Sequence, residues 1–270
     1  GIIQSYGWKA VFVVGGILPC IAALFLLALP ESVRFLVLKG GEEGRIAKYL
    51  SKLGIATSAG TKFTVTETKA GGFSVGELFR AGRAKMTPIL WVIFFMSLLD
   101  LYFLNSWLPT IISDAGIAQQ TAILVTAMFQ LGGSVGAWVL GRFFDSKASY
   151  QALAAVYFGA AICVALIGFA GTSVALLTAI VFLSGFFVIG GQTGSNSLAA
   201  ESYPTAIRST GVGWALGIGR IGSIVGPYFG GMLLTPQVSV KQGFWAAAVP
   251  PLIATIAVWA LNSMRTPRAE

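Results

Sequence analysis

Charged residues are scarce in this chain, and histidine is missing from it. Of 270 residues, 10% are Asp, Glu, Lys or Arg, whereas about 25% is usual in soluble domains. A chain without histidine has no Ser-His or Cys-His catalytic set. The two cysteines, Cys20 and Cys163, lie in separate apolar runs, which is not typical of a disulfide framework or a zinc site. We therefore expect neither an enzyme nor a bound metal or other cofactor.

The sequence is instead rich in long runs of apolar residues. Hydrophobic residues form 56% of the chain, and a helix needs about 20 apolar residues to cross the roughly 30 Å hydrocarbon core of a bilayer. Seven runs reach that length: 9–29, 88–111, 119–140, 151–169, 174–195, 210–233 and 243–262. The sequence therefore predicts an all-α, multi-pass membrane protein surrounded by the lipid bilayer.

The basic residues indicate the orientation of these spans. The longest polar segment, residues 30–87, carries ten of the 18 Lys and Arg residues, and the positive-inside rule places it in the cytoplasm. The loops near 141–150 and 200–209 and the C-terminal tail are then cytoplasmic too, which puts 15 of the 18 inside. Topology thus explains the net charge of +8, and we expect no nucleic-acid partner. The expected location is the plasma (inner) membrane, with a cytoplasmic C-terminus.

Two short helices are predicted within the polar segment. Residues 42–53 have apolar positions at helical spacing, and Ser74 is placed to cap a helix that contains Val75, Leu78 and Phe79. We expect both helices to lie along the membrane interface. Residues 55–72, rich in Thr, Ser, Gly and Ala, are expected to form a flexible connector.

Several sequence blocks resemble a transporter family. Pro-Glu-Ser-Val-Arg-Phe-Leu at residues 30–36 is similar to the block that follows helix six in the sugar-porter and organic-ion branches of the major facilitator superfamily. Residues 102–109 and 129–133 are similar to the aromatic acid:proton symporters of that superfamily. The same likeness is clearest in Tyr-Pro-Thr-Ala-Ile-Arg-Ser-Thr-Gly-Val-Gly-Trp at residues 203–214, and Gly-Ile-Gly-Arg-Ile-Gly at 217–222 continues it.

The resemblance implies a division of the chain. Residues 1–29 correspond to helix six of the family, 30–87 to its central cytoplasmic loop, 88–262 to its C-terminal six-helix bundle and 263–270 to a cytoplasmic tail. Residue 1 is a glycine that precedes a long apolar run, so we expect a fragment. The partner implied by the resemblance is the missing N-terminal half of the same transporter.

Arg220 is the first candidate for substrate binding. It lies near the middle of a Gly-rich span, where a charge costs about 2.5–3.5 kcal/mol or more. A guanidinium kept there can receive an aromatic carboxylate through paired hydrogen bonds, a geometry that Lys cannot supply. The alternative is a structural Arg bonded to carbonyls and to a carboxylate between helices.

Four further polar residues are candidates for the same site. Gln192 and Asn196 are four residues apart and share a helix face, and Tyr102 and Asn105 lie in the span that corresponds to helix seven of the family. The amides can bind hydroxyl or carboxylate groups, and Tyr102 can contact an aromatic ring. The alternative for the amides is a hydrogen bond that joins two helices.

Asp100 is the candidate for proton coupling. It lies about halfway along the second span, where a buried carboxyl can change its protonation as substrate or partner comes and goes. The alternatives are a fixed ion pair with Arg220 and a polar group that faces water.

A cytoplasmic gate is implied by the resemblance. Residues 141–147, which include Arg142 and Asp145, resemble the G-x-x-x-D-R signature between helices eight and nine, although Ser146 replaces the usual basic residue. Glu201 and Arg208 in the next cytoplasmic loop are the expected partners, with Arg142 and Glu201 as a pair that holds one access state. The alternative is that these residues only anchor loops at the lipid headgroups.

The function predicted from these features is proton-coupled symport of small aromatic carboxylates, such as hydroxybenzoates, by alternating access. Two alternatives stay open: a carrier of sugars or organic cations, and a membrane remnant that does not transport. An ATP-driven pump has no support, because no G-x-x-x-x-G-K-[ST] sequence occurs.

Overall fold

The computed structural model describes residues 2–27, 36–37, 43–52, 75–144, 149–233 and 239–264, and all the regular structure in those ranges is helical. The chain divides into two compact units, Gly1–Thr68 and Lys69–Glu270. The predicted connector at 55–72 lies outside the described residues, as do Ser74, Asp145 and the tail after residue 264.

Two helices of the first unit have described bounds. The first, α1, is Ile2–Leu27, and two helical pieces meet in it at Gly7, whose φ of 74° suits a residue without a side chain. The second, α2, is Glu43–Lys52 and confirms the short helix predicted at 42–53.

The second unit is a helical bundle. Its first described element is a 3-10 helix, Val75–Phe79. Its described α-helices are α3 Met86–Asp114, α4 Gln119–Phe144, α5 Ser149–Ile167, α6 Val174–Ser202, α7 Thr205–Leu233, α8 Val240–Ala247 and α9 Val249–Ser263. The last predicted span, 243–262, falls on α8 and α9, which meet at Ala248 and together form one apolar segment, Val240–Ser263. Proline cannot donate a backbone hydrogen bond, and Pro250 and Pro251 stand where α9 begins.

Six helical segments of the described ranges are long and apolar enough to cross a membrane: Gly7–Phe25, Met86–Asp114, Gln119–Phe144, Tyr150–Ile167, Val174–Ser202 and Val240–Ser263. These segments correspond to six of the seven predicted spans. The remaining prediction, 210–233, lies within α7, which is helical along its 29 residues. Its glycines, together with Arg208 and Arg220, make α7 more polar than its neighbours.

Close packing of α3 against α7 sets the position of the polar residues described below. At Gly222 an added Cβ would lie 2.3 Å from the carbonyl oxygen of Phe95, and at Gly226 it would lie 2.4 Å from that of Leu99. No larger side chain fits at such distances, so the two glycines allow the helix backbones to approach each other.

The 3-10 helix packs into the core of the bundle, and its expected location along the membrane interface stays a prediction. Leu78 is fully buried in a cluster that includes Leu90, Tyr150 and Tyr203. The Thr87 hydroxyl donates a 2.7 Å hydrogen bond to the Leu78 carbonyl, and the Tyr203 hydroxyl donates one of 3.2 Å to Thr87. Burial raises the pKa of Tyr203, which therefore keeps its donating proton. The 3-10 helix thus belongs to the core at one end of the bundle.

Candidate functional site

A polar face is built along α3, which packs against both α4 and α7. The guanidinium of Arg220 on α7 donates a 2.9 Å hydrogen bond from Nη1 to the hydroxyl of Tyr102 on α3. One turn along α3, Asn105 accepts a 2.9 Å hydrogen bond from Nε2 of Gln130 on α4, while its own amide nitrogen donates to the Leu101 carbonyl. The structure thus brings together three of the predicted substrate-binding residues with one residue that we did not predict.

Arg220 keeps most of its binding capacity. A guanidinium has five N–H donors, and Tyr102 accepts from one of them. The side chain is exposed, and within the described part of the chain no carboxylate pairs with it. The structure therefore does not show the alternative in which Arg220 is fixed by a buried acid. Among the described residues no hydrogen bond to its other side-chain donors is seen, so these donors can receive an anion.

Gln130 is the polar residue that sequence reasoning missed. It stands between Phe129 and Leu131 in an apolar helix, and its side chain is exposed on the same face as Asn105. An amide placed among apolar residues of a membrane span was the available signal, because such a group needs a partner or water. The two amides together present oxygen and N–H groups beside Arg220 and Tyr102.

An apolar hollow of about 640 Å³ lies along α7. Its lining residues are Ser209, Thr210, Gly213, Trp214, Gly217, Ile218 and Ile221. Trp214 stacks on Trp91 of α3, with ring centroids 6.0 Å apart. Arg220 follows Gly217 by three residues, so it emerges from α7 beside this lining. A cation therefore borders an apolar surface whose volume is typical of small-molecule pockets.

Asp100 faces a different direction from Arg220. Its side chain is 2% exposed, and neither carboxylate oxygen has a hydrogen-bond partner among the described residues. The alternative of an Asp100–Arg220 ion pair is therefore not what the structure shows, since Arg220 bonds to Tyr102. Residues two apart on a helix point to nearly opposite sides, which places Asp100 inside the bundle and Tyr102 on the polar face.

The two amides predicted on α6 differ in their surroundings. Asn196 is exposed, whereas Gln192 is half-buried and its Oε1 atom is buried with no hydrogen-bond partner in the described ranges. Neither amide is hydrogen-bonded to Arg220 or Tyr102 in those ranges. Their participation in the same site stays a prediction.

The predicted gate residues have other contacts in this structure. Arg142 lies over the ring of Trp138, 4.2 Å from its centroid, because a residue four positions earlier on a helix shares its face. The Arg208 Nε atom donates a 3.4 Å hydrogen bond to the Tyr203 carbonyl. Glu201 is exposed, and Arg142 and Glu201, both described, form no ion pair. The gate stays a prediction, and its fourth member, Asp145, lies outside the described residues.

In the part of the chain that the structure describes, no three His, Cys, Asp or Glu side chains come together as metal ligands would. The polar face instead offers a cation, a phenol and amides, which suits an organic anion. Bidentate pairing of a guanidinium with a carboxylate is the strongest interaction that this set can make.

Comparisons with known proteins agree with these features. A family model described as Major Facilitator Superfamily matches residues 1–222 and 90–270. The chain is 38% identical to a gallate transporter of Pseudomonas putida over 267 residues, which is 98% of this chain and 59% of that protein. It is 37% identical over 262 residues to the 4-hydroxybenzoate transporter PcaK of Pseudomonas putida, covering 95% of this chain and 58% of the relative.

A further relative is the 4-hydroxybenzoate transporter PcaK of Acinetobacter baylyi, 35% identical over 266 residues, which cover 96% of this chain and 58% of that protein. The chain thus spans less than two thirds of the length of the curated relatives it matches. Together with the long apolar helices, the family match shows that this chain is a multi-pass membrane protein that belongs to the Major Facilitator Superfamily.

Proposed function

We propose that the protein containing this chain is a secondary transporter that carries small aromatic carboxylates across the plasma membrane together with protons. The names of the relatives support the substrate class, because gallate and 4-hydroxybenzoate each combine an aromatic ring, a carboxylate and at least one hydroxyl group. Membership of the superfamily supports alternating access, in which two helix bundles rock about a central site.

The observation that carries the proposal is the Arg220 guanidinium, oriented by Tyr102 and exposed on the polar face. Arg220 receives the substrate carboxylate through two parallel hydrogen bonds. Asn105 and Gln130 bind a ring hydroxyl, and Gln192 and Asn196 of α6 complete the polar lining. The ring itself rests on Tyr102 and on the apolar hollow, whose lining includes Gly217.

Asp100 is the proposed proton-coupling residue. It is buried on α3, the same helix that carries Tyr102 and Asn105, yet it faces the bundle interior. A carboxyl without a donor or a cation beside it is accommodated there in its neutral form, since an unpaired buried charge is costly. Movement of α3 during alternating access changes that environment and thereby allows the proton to leave.

The gate is proposed to form in another access state. Arg142, Asp145, Glu201 and Arg208 belong to segments that the charge pattern places on the cytoplasmic side, with the C-terminus on that side as well. In this proposal Arg142 leaves the Trp138 ring to pair with Glu201, and breakage of that pair accompanies turnover. The partner across the gate and the central cavity is the N-terminal half of the same transporter.

Uptake of labelled 4-hydroxybenzoate by cells that express the protein containing this chain tests the proposal. We expect saturable uptake that an inward proton gradient accelerates and that dissipation of the gradient abolishes. Gallate and benzoate should compete, whereas glucose and a quaternary amine should not. Transport of either of these two compounds in place of the aromatic acid would contradict the assigned substrate class.

A further inference from the structure

Lys241 lies beside two aromatic rings at one end of the bundle. Its Nζ atom is 4.0 Å from the ring centroid of Phe169 and 5.3 Å from that of Trp245. The two rings also contact each other, with their centroids 5.7 Å apart. An ammonium within about 6 Å of a ring centroid is attracted by the face of that ring. The two rings therefore hold the long side chain of Lys241 in one position.

The fold fixes this cluster of Lys241, Phe169 and Trp245 as well. Phe169 follows the end of α5, and Lys241 lies in the first turn of α8. An added Cβ at Gly168 would lie 3.0 Å from the Lys241 Cα atom, so the end of α5 packs closely against the backbone of α8. The hydroxyl of Ser239 accepts a hydrogen bond from the backbone N–H of Gln242 and thereby caps α8.

Two exposed apolar surfaces begin at the cluster. The first, called the α5 surface here, consists of the exposed side chains of Phe158, Ile162, Leu166 and Phe169. Their spacing of three or four residues places them on one side of α5. The second surface continues from Trp245 along α9 to Trp259. Because α5 packs against α8 and α9 and the rings of Phe169 and Trp245 are in contact, the two surfaces meet at Lys241.

The α5 surface has the length of one leaflet of a bilayer. Phe158 and Phe169 are separated by about three helical turns, or about 16 Å. Half of a hydrocarbon core of roughly 30 Å is about 15 Å. An acyl chain that covers the α5 surface therefore has its headgroup at the level of Lys241. Lysine side chains at the ends of membrane helices commonly extend to that level.

The Lys241 ammonium is available to an anion. Its side chain is exposed, and within the ranges that the structure describes no carboxylate pairs with it. An ammonium has three N–H donors, and the ring faces offer them no oxygen atom. Phosphate oxygens are charged acceptors that suit such donors. A free anion would satisfy the charge but leave the α5 surface uncovered, whereas a phospholipid does both.

We propose that Lys241 and the α5 surface form a binding site for one anionic glycerophospholipid. The lipid phosphate binds the Lys241 ammonium, and an acyl chain lies along the α5 surface. A net negative headgroup is preferred, because the choline of a zwitterionic lipid brings a second cation toward Lys241. In the topology predicted from the basic residues, this lipid belongs to the outer leaflet. The site requires a bilayer around the chain and is independent of the substrate that is carried.

Native mass spectrometry of the purified protein with added phosphatidylglycerol or phosphatidylcholine tests the site. We expect the first phosphatidylglycerol to bind with a Kd lower by about fivefold or more than that of phosphatidylcholine. Lys241→Gln should lose this preference, whereas Lys241→Arg keeps the charge and should retain it. Trp245→Leu should weaken phosphatidylglycerol binding by a smaller factor, about two- to fivefold, because one of the two rings that hold the ammonium is removed.

Lys48→Gln is the matched control. It removes the same charge from an exposed lysine of α2 that has no ring contact within the described ranges. We expect its preference for phosphatidylglycerol to equal that of the parent protein. Equal losses in Lys48→Gln and Lys241→Gln would overturn the site, since net charge alone would then determine lipid binding. An unchanged preference in Lys241→Gln would overturn it too, as would its loss in Lys241→Arg.

Two further ligands distinguish a lipid from a free anion. Inorganic phosphate carries the charge without acyl chains, and at millimolar concentration it should not displace long-chain phosphatidylglycerol. Dihexanoyl phosphatidylglycerol has the same headgroup on short chains and should bind more weakly than the long-chain lipid. Displacement by inorganic phosphate would overturn the assignment, because the site would then hold a free anion. Equal affinity for the short-chain and long-chain lipids would show that the α5 surface binds no acyl chain.

Discussion

The guanidinium of Arg220 and the hydroxyl of Tyr102 are joined by a 2.9 Å hydrogen bond between residues that lie 118 positions apart in the chain. The bond crosses from α7 to α3, at the crossing where glycines allow the two backbones to approach. Tyr102 thus fixes the direction of a cation whose other donors are free. In the proposed site, the substrate affinity therefore depends on both helices.

Arg220→Lys should raise the KM for 4-hydroxybenzoate about tenfold or more. Lysine keeps the charge but cannot form two parallel hydrogen bonds with a carboxylate, and a hydrogen bond to a charged group contributes about 1.5–3 kcal/mol. Tyr102→Phe should raise the KM by a smaller factor, about two- to tenfold, because one orienting hydrogen bond is lost. Initial uptake rates at several substrate concentrations give both values. The control is Tyr228→Phe, which alters an exposed tyrosine of α7 and should leave the KM unchanged.

Gln130→Ala should affect substrates with a ring hydroxyl more than benzoate. In the proposed site, Asn105 and Gln130 bind the hydroxyl group while Arg220 binds the carboxylate. Loss of the Gln130 amide should therefore raise the KM for 4-hydroxybenzoate several-fold, by the roughly 0.5–1.5 kcal/mol of a neutral hydrogen bond. Competition by unlabelled benzoate and 4-hydroxybenzoate measures the difference. Equal effects on the two compounds would mean that Gln130 does not contact the ring hydroxyl.

Gly226→Ala and Gly213→Ala should change stability in opposite directions. A Cβ at Gly226 would lie 2.4 Å from the Leu99 carbonyl oxygen, so α3 and α7 must separate, at a cost of about 1–3 kcal/mol. Gly213 has no atom within 4 Å of its would-be Cβ, and alanine there should add up to about 1 kcal/mol of helix propensity. Thermal unfolding of the purified protein in detergent should show a lower Tm for the first variant only.

Leu78→Ala should lower the free energy of unfolding by about 2–5 kcal/mol, the usual range for truncation of a fully buried leucine. The neighbouring substitution Glu77→Gln is the control, because Glu77 pairs with the exposed Arg80 and such pairs contribute little. Denaturant unfolding measures both variants. A small effect of Leu78→Ala would show that the 3-10 helix is not part of the cooperative core.

The sequence was sufficient to predict the helices but not where each of them ends. Apolar runs predicted spans at 174–195 and 210–233, whereas α6 extends to Ser202 and α7 begins at Thr205. Hydropathy identifies the residues that suit the hydrocarbon core of the bilayer. A helix can extend beyond that core for as long as its backbone N–H and C=O groups are hydrogen-bonded. The break before α9 follows from Pro250 and Pro251, which hydropathy alone does not register.

Side-chain types identified Arg220 and Tyr102 as candidates, but their hydrogen bond depends on how α3 and α7 cross. Gln130 could not be identified from the sequence for the same reason, because its proposed role depends on its hydrogen bond to Asn105 on a different helix. That Asp100 and Arg220 do not pair could be predicted in part from the sequence. Asp100 and Tyr102 are two residues apart on one helix, so a residue that meets Tyr102 cannot easily meet Asp100 as well.

The polarity of α7 has a consequence for how the protein is made. A helix with many glycines and an arginine near its middle, Arg220, is a poor candidate for entering the bilayer alone, because a charge at mid-membrane opposes insertion. α6, among the most apolar of the spans, is separated from α7 by only Tyr203 and Pro204. We therefore expect the ribosome-bound translocon to release the two helices as one hairpin, with α6 drawing α7 into the lipid during synthesis.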